Sequence, residues 1–215
     1  LIDRGYLDSI GWRGVRVRRS HLLQAIALAA NELRNGGQAL CIADPAAGHG
    51  RYVLDAVAQL PERPQSIVLR DFSARNVRQG QALITARQLD GIARFEAADA
   101  FDEAALAALM PRPNLVVVSG LYELFSDNER VMRSLHGLAR AVDTGAYLVY
   151  TGQPWHPQLE LIARTLTSHR GGQAWVMRRR TQAELDELVR AAGFTKIEQW
   201  IDDWGMFTVS LARRN

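Results

Sequence analysis

Cysteine and lysine are almost missing from this chain of 215 residues: each occurs once, as Cys41 and Lys196. A single cysteine cannot close an internal disulfide, so the expected compartment is a reducing cytosol. No run of about 18 apolar residues exists, which excludes a membrane-spanning helix. No secretory leader is visible, and the chain opens on leucine, as a processed form or an excised piece of a longer protein would. Repeats, low-complexity tracts and interior linkers are lacking too, so one domain is expected. All but one of the 26 basic residues are arginine, yet the formal net charge is only +3. Arginines at 13, 16, 18 and 19 and at 178 to 180 form two short clusters. They read either as solvated surface or as a contact surface for an anionic substrate, a partner domain or nucleic acid. The charges are spread along the chain, which argues against nucleic acid.

What is present is an alternation. Ser20 can cap a helix to about Asn35, stopped by Gly36 and Gly37. Ala39–Ala43 reads as a buried strand and Arg51–Leu60 as a helix. SIVLR at 66–70 is a second strand, and Ser73 opens a helix to about Asp90. ARFEA is a third strand, followed by a short helix over 102–110. NLVVVSG is a fourth strand, and SDNE at 126–129 has capping-box spacing. AYLVYTG is a fifth strand, and 157–168 has helical spacing. TQAE at 181–184 is a second capping box. The tail, TKIEQWI and MFTVSLA around DDWG, predicts an antiparallel pair. Most strands are continuously apolar, as strands covered on both faces must be. The expected class is α/β, with a mostly parallel seven-stranded sheet, right-handed crossovers and a terminal antiparallel pair. Residues 1–19 are expected to be an N-terminal extension that can act as a lid, and 20–215 the ligand-binding domain.

In such a sheet ligands bind beyond the carboxyl ends of the strands. The first strand runs into DPAAGHG, a loop of small residues that lets a ligand approach the backbone closely, before a helix start with free N–H groups. Three carboxylates end successive strands: Asp44, Asp71 in LRDF and Asp99 in AADA. The second can accept ribose hydroxyls and the third an exocyclic amine, and Phe72 can pack on a purine. Singly, each acid reads as a strand-end residue facing water. Together with the loop they describe a nucleoside site.

DPAAGHG resembles the D-x-G-x-G-x-G motif of class I S-adenosylmethionine-dependent methyltransferases, with Ala46 at the first glycine position. VLRDFSARNV, FEAADAFD and NLVVVSGLYELFSD resemble their second, third and fourth-strand motifs, and GAYLVYTGQP the fifth strand. The resemblance covers about residues 20 to 213. SGLYELFSD and TGQPWHPQ are similar, more narrowly, to the methyltransferase half of bacterial bifunctional α/β-hydrolase–methyltransferase proteins. The resemblance implies a Rossmann-like class I methyltransferase fold and S-adenosylmethionine as cofactor, released as S-adenosylhomocysteine. It implies that backbone at Ala46, Gly48 and Gly50 lines the amino-acid end of the cofactor, with Asp44 ordering it. It implies that Asp71 holds the ribose, Phe72 touches the adenine, Asp99 and Ala100 read the adenine edge, and Ser119 and Gly120 lie beneath the sulfonium. Asn114 departs from the frequent aspartate before the fourth strand.

Missing motifs narrow the acceptor. SGLY is not N-P-P-Y, which argues against base amines. Cys41 lies inside a strand, which argues against cysteine attack on pyrimidine carbon. The single lysine argues against the lysine-centred ribose tetrad, and no carboxylate cluster suggests a metal site. A small-molecule or lipid-like acceptor remains. Its candidate site residues are Tyr122, Glu123, Trp155 and His156, expected to share one pocket with the methyl. His156 or Glu123 can take a proton. Equally, His156 can be a loop histidine held by backbone, and Glu123 a helix-start carboxylate. Tyr6 and Trp12 can close the site, or pack on the sheet edge. Two rival classes stand beside this reading. One is an NAD-dependent oxidoreductase, whose G-x-G-x-x-G loop would need glycine where Val53 stands. The other is a non-catalytic cofactor-binding module of a fused enzyme.

Overall fold

A computed structural model describes residues 5, 7–168, 172 and 174–215. In chain order the elements are α1 (Ile10–Asn35), β1 (Cys41–Asp44), α2 (Arg51–Val57), β2 (Ser66–Asp71), α3 (Ala74–Ala86) and β3 (Ala93–Ala97). Then come α4 (Glu103–Ala107), β4 (Leu115–Val118), a 3-10 turn (Tyr122–Leu124), α5 (Asn128–Ala141), β5 (Tyr147–Gly152) and α6 (Leu159–Thr165). α7 (Gln182–Ala191), β6 (Phe194–Ile201) and β7 (Thr208–Arg214) complete the chain. The seven strands lie in the order β3-β2-β1-β4-β5-β7-β6. The first five pair in parallel, and β7 pairs antiparallel with both β5 and β6. Strand order reverses between β1 and β4, which makes that crevice the expected ligand position.

Each central strand feeds two cores. Leu115 and Val117 of β4 pack with Leu22, Ile26, Leu54 and Ile84 of α1, α2 and α3. Val116 and Val118 face the opposite layer, with Leu106, Leu135, Leu138 and Leu185 of α4, α5 and α7. Both faces are thus covered, which is why LVVV is apolar at every position. Fully burying one such side chain contributes about 1.5–3 kcal/mol.

Local chemistry sets the element ends. Ser73 Oγ accepts from Asn76 N, and Thr181 Oγ1 from Glu184 N, as the sequence predicts. The expected box at Ser126 is displaced by one residue: Asp127 is the cap and accepts from Glu129 N. The DDWG turn is built on Asp202, whose carboxylate accepts from the N–H groups of Trp204, Met206 and Phe207. The expected start of the first helix at Ser20 is wrong. α1 begins at Ile10, behind Ser9, so the 19/20 boundary falls inside a continuous helix. Gly11 and Gly14, inside this helix, are close-packing positions. A Cβ at Gly11 would stand 2.7 Å from His156 Nε2, and one at Gly14 2.7 Å from the Met206 Cε. Among the described residues, no helix is long and apolar enough to cross a membrane.

Candidate active site

The glycine loop between β1 and α2 is held by the acids around it. Gly50 caps α2 at φ +73, a conformation that favours glycine, and a Cβ there would meet Leu69 Cδ1 at 2.5 Å. Gly48 has φ +59, and open space surrounds its missing Cβ. Asp44 is fully buried at the end of β1, where Oδ1 accepts from Ala46 N and Oδ2 from the Tyr52 hydroxyl. Burial pushes its carboxyl up to about 7, against the lowering effect of those two bonds. Burial and the Asp44 charge push the Tyr52 hydroxyl well up as well.

Asp71 ends β2. Its Oδ1 accepts from Ser73 N and Asn76 Nδ2, and its Oδ2 from Gly48 N at 3.0 Å. Three of about four lone-pair positions are therefore used within the protein, and Oδ2 keeps one. Asp99 follows β3, exposed, with Oδ1 accepting from Phe101 N. Ala100 is buried, and the Phe72 ring is 84% exposed beside Asp71. Asp44 pairs with Leu69, and Asp71 with Ala97, so each next carboxylate stands two residues beyond its neighbour's register. The three acids form a stepped rim along β1, β2 and β3. This donor and acceptor set fits an adenosine with an amino-acid tail: acceptor oxygens for hydroxyl and amine, an exposed ring for the base, and a loop with room against its backbone.

On the other side of the switch point, beyond β4 and β5, a cavity of about 530 Å³ opens. Its polar lining includes Ser9, Arg18, Glu123, Gln153, His156, Gln158 and Thr165, with Gly120 beside them. Trp12, Leu161, Ile162, Trp175 and Met177 form most of its apolar wall, and Phe207 closes one side. Gly120 carries the cavity to the end of β4, and its amide donates to Thr151 Oγ1. Ser119, next to it, is half-buried.

The structure brings Glu123, His156 and Trp12 to this cavity. Glu123 is 7% exposed; Oε1 pairs with Arg18 Nη1 at 3.3 Å, and Oε2 is buried with no hydrogen-bond partner. Burial raises its carboxyl above the ordinary range, with Arg18 opposing. His156 Nδ1 accepts from Gln158 N, so in the neutral ring the proton sits on Nε2. Desolvation lowers its pKa. The nitrogen that a base would need is therefore already engaged, and His156 faces the cavity as a donor.

Two expectations are corrected. The Tyr122 hydroxyl turns into the opposite core, within 3.1 Å of Ser134 Oγ, because the 3-10 turn sends successive side chains to different sides. Trp155 does not line the cavity; its indole donates to Trp204 O beside the DDWG turn, and the ring is 40% exposed. Tyr6 lies outside the described residues.

Sequence reasoning missed Arg18, Tyr52 and Arg180. Arg18 lines the cavity, lies over Phe207 with its guanidinium 4.9 Å from the ring centre, and its charge also reaches Tyr52. Arg180 is 4% exposed and donates to Tyr122 O, Phe125 O and Asn128 Oδ1, which pins the turn that carries Glu123. Its cluster, RRR, was legible as solvated surface or as a contact surface, and not as a buried clamp; the signal that could have found Arg180 is its place immediately before the Thr181 cap.

The fold and the stepped acids define a class I methyltransferase. Residues 1–214 match the family described as "Putative methyltransferase", and the chain belongs to that family. It is 56% identical over 214 residues to "Uncharacterized protein YnbC" of Escherichia coli (strain K12), covering 100% of this chain but only 36% of that protein. Among solved structures, a possible exported protein from Bordetella parapertussis superposes with a TM-score of 0.74 at 19% identity, over 95% of this chain and 69% of that one. Magnesium protoporphyrin IX methyltransferase from Synechocystis PCC 6803, with bound S-adenosylhomocysteine, superposes at 0.68 with 15% identity, over 96% and 88%. At these identities the structures attest the fold.

Proposed function

We propose that this protein transfers a methyl group from S-adenosylmethionine to a small-molecule or lipid-like acceptor held in the cavity beyond β4 and β5. The carrying observation is the stepped rim of Asp44, Asp71 and Asp99 around the glycine loop, with the cavity opening beyond the adjacent strand β4 at Gly120. When bound, the cofactor supplies a methyl on a sulfonium: a bond forms from the acceptor's heteroatom to that carbon as the carbon–sulfur bond breaks, its electron pair passing to sulfur.

The chain's own residues bind and align. Asp71 Oδ2 offers its remaining lone pair to one ribose hydroxyl, and the Gly48 amide must release Oδ2 if a second is to bind there. Asp99 accepts from the adenine amine, and Phe72 covers a face of the base. Asp44 orders the amino-acid end, with Tyr52 and Arg18 beside it. The apolar wall excludes water from the acceptor, and alignment of two bound reactants supplies much of the rate gain. Glu123 is placed to take the proton that the acceptor loses. In a whole protein of the relative's length, the remaining part would be the α/β-hydrolase partner that the resemblance implies.

Calorimetry and thermal unfolding test this reading together. S-adenosylhomocysteine should give heat, and at about 100 times its Kd should add about 2.7 kcal/mol of stability, a rise in Tm of roughly 5–10 °C. NADH should do neither. Heat and stabilisation from NADH alone would instead establish the oxidoreductase, although the third glycine position of that class is the fully buried Val53.

A further inference from the structure

The cavity says more about the acceptor than the family does. Its lining contains one cation and one anion, Arg18 and Glu123, and they are paired with each other. The guanidinium also lies over Phe207, and its charge is already matched by the Glu123 carboxylate. The rest of the wall is mainly apolar, with Trp12, Val15, Leu161, Ile162 and Met177 among it, and its other polar side chains, such as Gln153 and Gln158, are neutral, so a charged group there would be desolvated without a counter-charge. A cation would in addition meet the sulfonium of the donor. Within this lining the Glu123 carboxylate has one oxygen, Oε2, that is buried and lacks a hydrogen-bond partner. An unsatisfied buried carboxylate oxygen is costly, and a donor group on a ligand would satisfy it. The volume of about 530 Å³ is that of a cavity for a molecule of two to four rings or an equivalent chain.

We propose that the acceptor is an uncharged, mainly apolar molecule with one hydrogen-bearing heteroatom, which it presents to Glu123 Oε2. This rests on the methyltransferase reading above and adds the acceptor's chemical class and contact atom. Arg18 is the positioning residue: it holds Oε1 and leaves Oε2 for the acceptor's O–H or N–H. The nucleophile's proton passes to Oε2 as its lone pair is used for the new bond.

A pair of fluorescent probes tests the inference without knowledge of the acceptor. N-phenyl-1-naphthylamine is uncharged, carries one N–H and is otherwise apolar; 8-anilinonaphthalene-1-sulfonate is the same skeleton with a sulfonate. The wild-type protein should bind the uncharged probe at least about tenfold more tightly than the sulfonate, because a buried unpaired charge is costly. Glu123→Gln should reverse or abolish that preference, since Arg18 then lacks its partner and becomes available to the sulfonate. Ile162→Glu, which adds a charge to the wall, should lose the uncharged probe and keep S-adenosylhomocysteine. Equal binding of the two probes by wild type overturns the proposal even if both variants misfold. So does uncharged-probe binding that Ile162→Glu leaves intact. A fall in S-adenosylhomocysteine affinity in Glu123→Gln with an unchanged probe preference assigns the carboxylate to the cofactor's ammonium and overturns it too. Absence of S-adenosylhomocysteine binding by wild type, by contrast, removes the methyltransferase reading and not the charge selectivity of the cavity.

Discussion

Asp44 is the residue in which structure and chemistry pull hardest against each other. Its position at the end of an apolar strand was readable in the sequence, and so were Asp71 and Asp99, because strand ends and glycine loops leave local signatures. Its partner was not: Tyr52 lies eight residues on, in a helix whose spacing says nothing about a buried hydroxyl. The consequence is a pH dependence with a definite sign. The folded carboxyl titrates at about 7 and the unfolded one near 3.8, so between those values the folded state holds the extra proton. This group's effect therefore lowers stability as pH rises from about 4 to about 7, by an amount on the order of 4 kcal/mol, and is constant above. Asp44→Asn should remove that slope and be the more stable protein at pH 8. Urea unfolding of both proteins from pH 4 to 8 checks it. An identical slope in the two would show that Asp44 is ionised throughout. His156 contributes with the opposite sign, since its lowered pKa costs stability as pH falls. Only the difference between wild type and variant isolates Asp44.

At the scale of elements, Asn114 explains a departure that the sequence left without a cause. Its Oδ1 accepts from Cys41 N at 2.9 Å, and its Nδ2 donates to Ala39 O at 2.8 Å. One amide thus clasps the entry of β1 to the entry of β4, and it needs both a donor and an acceptor. A carboxylate in its place would face the Ala39 carbonyl with no proton to give. Asn114→Asp should cost about 0.5–1.5 kcal/mol, the net worth of one hydrogen bond at the sheet's exposed end, with the denaturant m-value unchanged. Loss of less than about 0.5 kcal/mol would mean that water replaces the clasp. The capping elements were legible because Ser, Thr and Asp act within three residues of themselves. The start of α1 was not, because Ser20 offers the same capping chemistry inside the helix, while Ser9 at the true start makes no side-chain cap bond. Only the opposing His156 and Met206 show that Gly11 and Gly14 serve close approach.

For the molecule as a whole, the mostly parallel sheet was legible from element order and apolar runs, and so was the antiparallel tail from its turn. The spatial order of strands came only with the structure, since pairing across the switch point depends on contacts far apart in sequence. The acceptor cavity was half legible. Glu123 and His156 follow strands, but Leu161, Ile162 and Met177 lie in segments with no motif. The continuity of α1 bears on traffic through that cavity. Its 26 residues form a rod of about 39 Å, anchored in the core by Ile26 and Leu33, so the wall carrying Trp12 and Arg18 does not swing on a hinge at residue 19. The facing wall is α6, seven residues long with none buried, and a helix that short is marginal by itself. Arg164→Gly removes the Glu160–Arg164 pair and puts a poor helix former in α6. It should speed stopped-flow release of N-phenyl-1-naphthylamine severalfold and leave S-adenosylhomocysteine affinity unchanged, and an unaltered release rate would place the exit elsewhere. The residence time of a ligand in this cavity is then written in the fraying of seven residues, and the least buried helix of the wall doubles as its door.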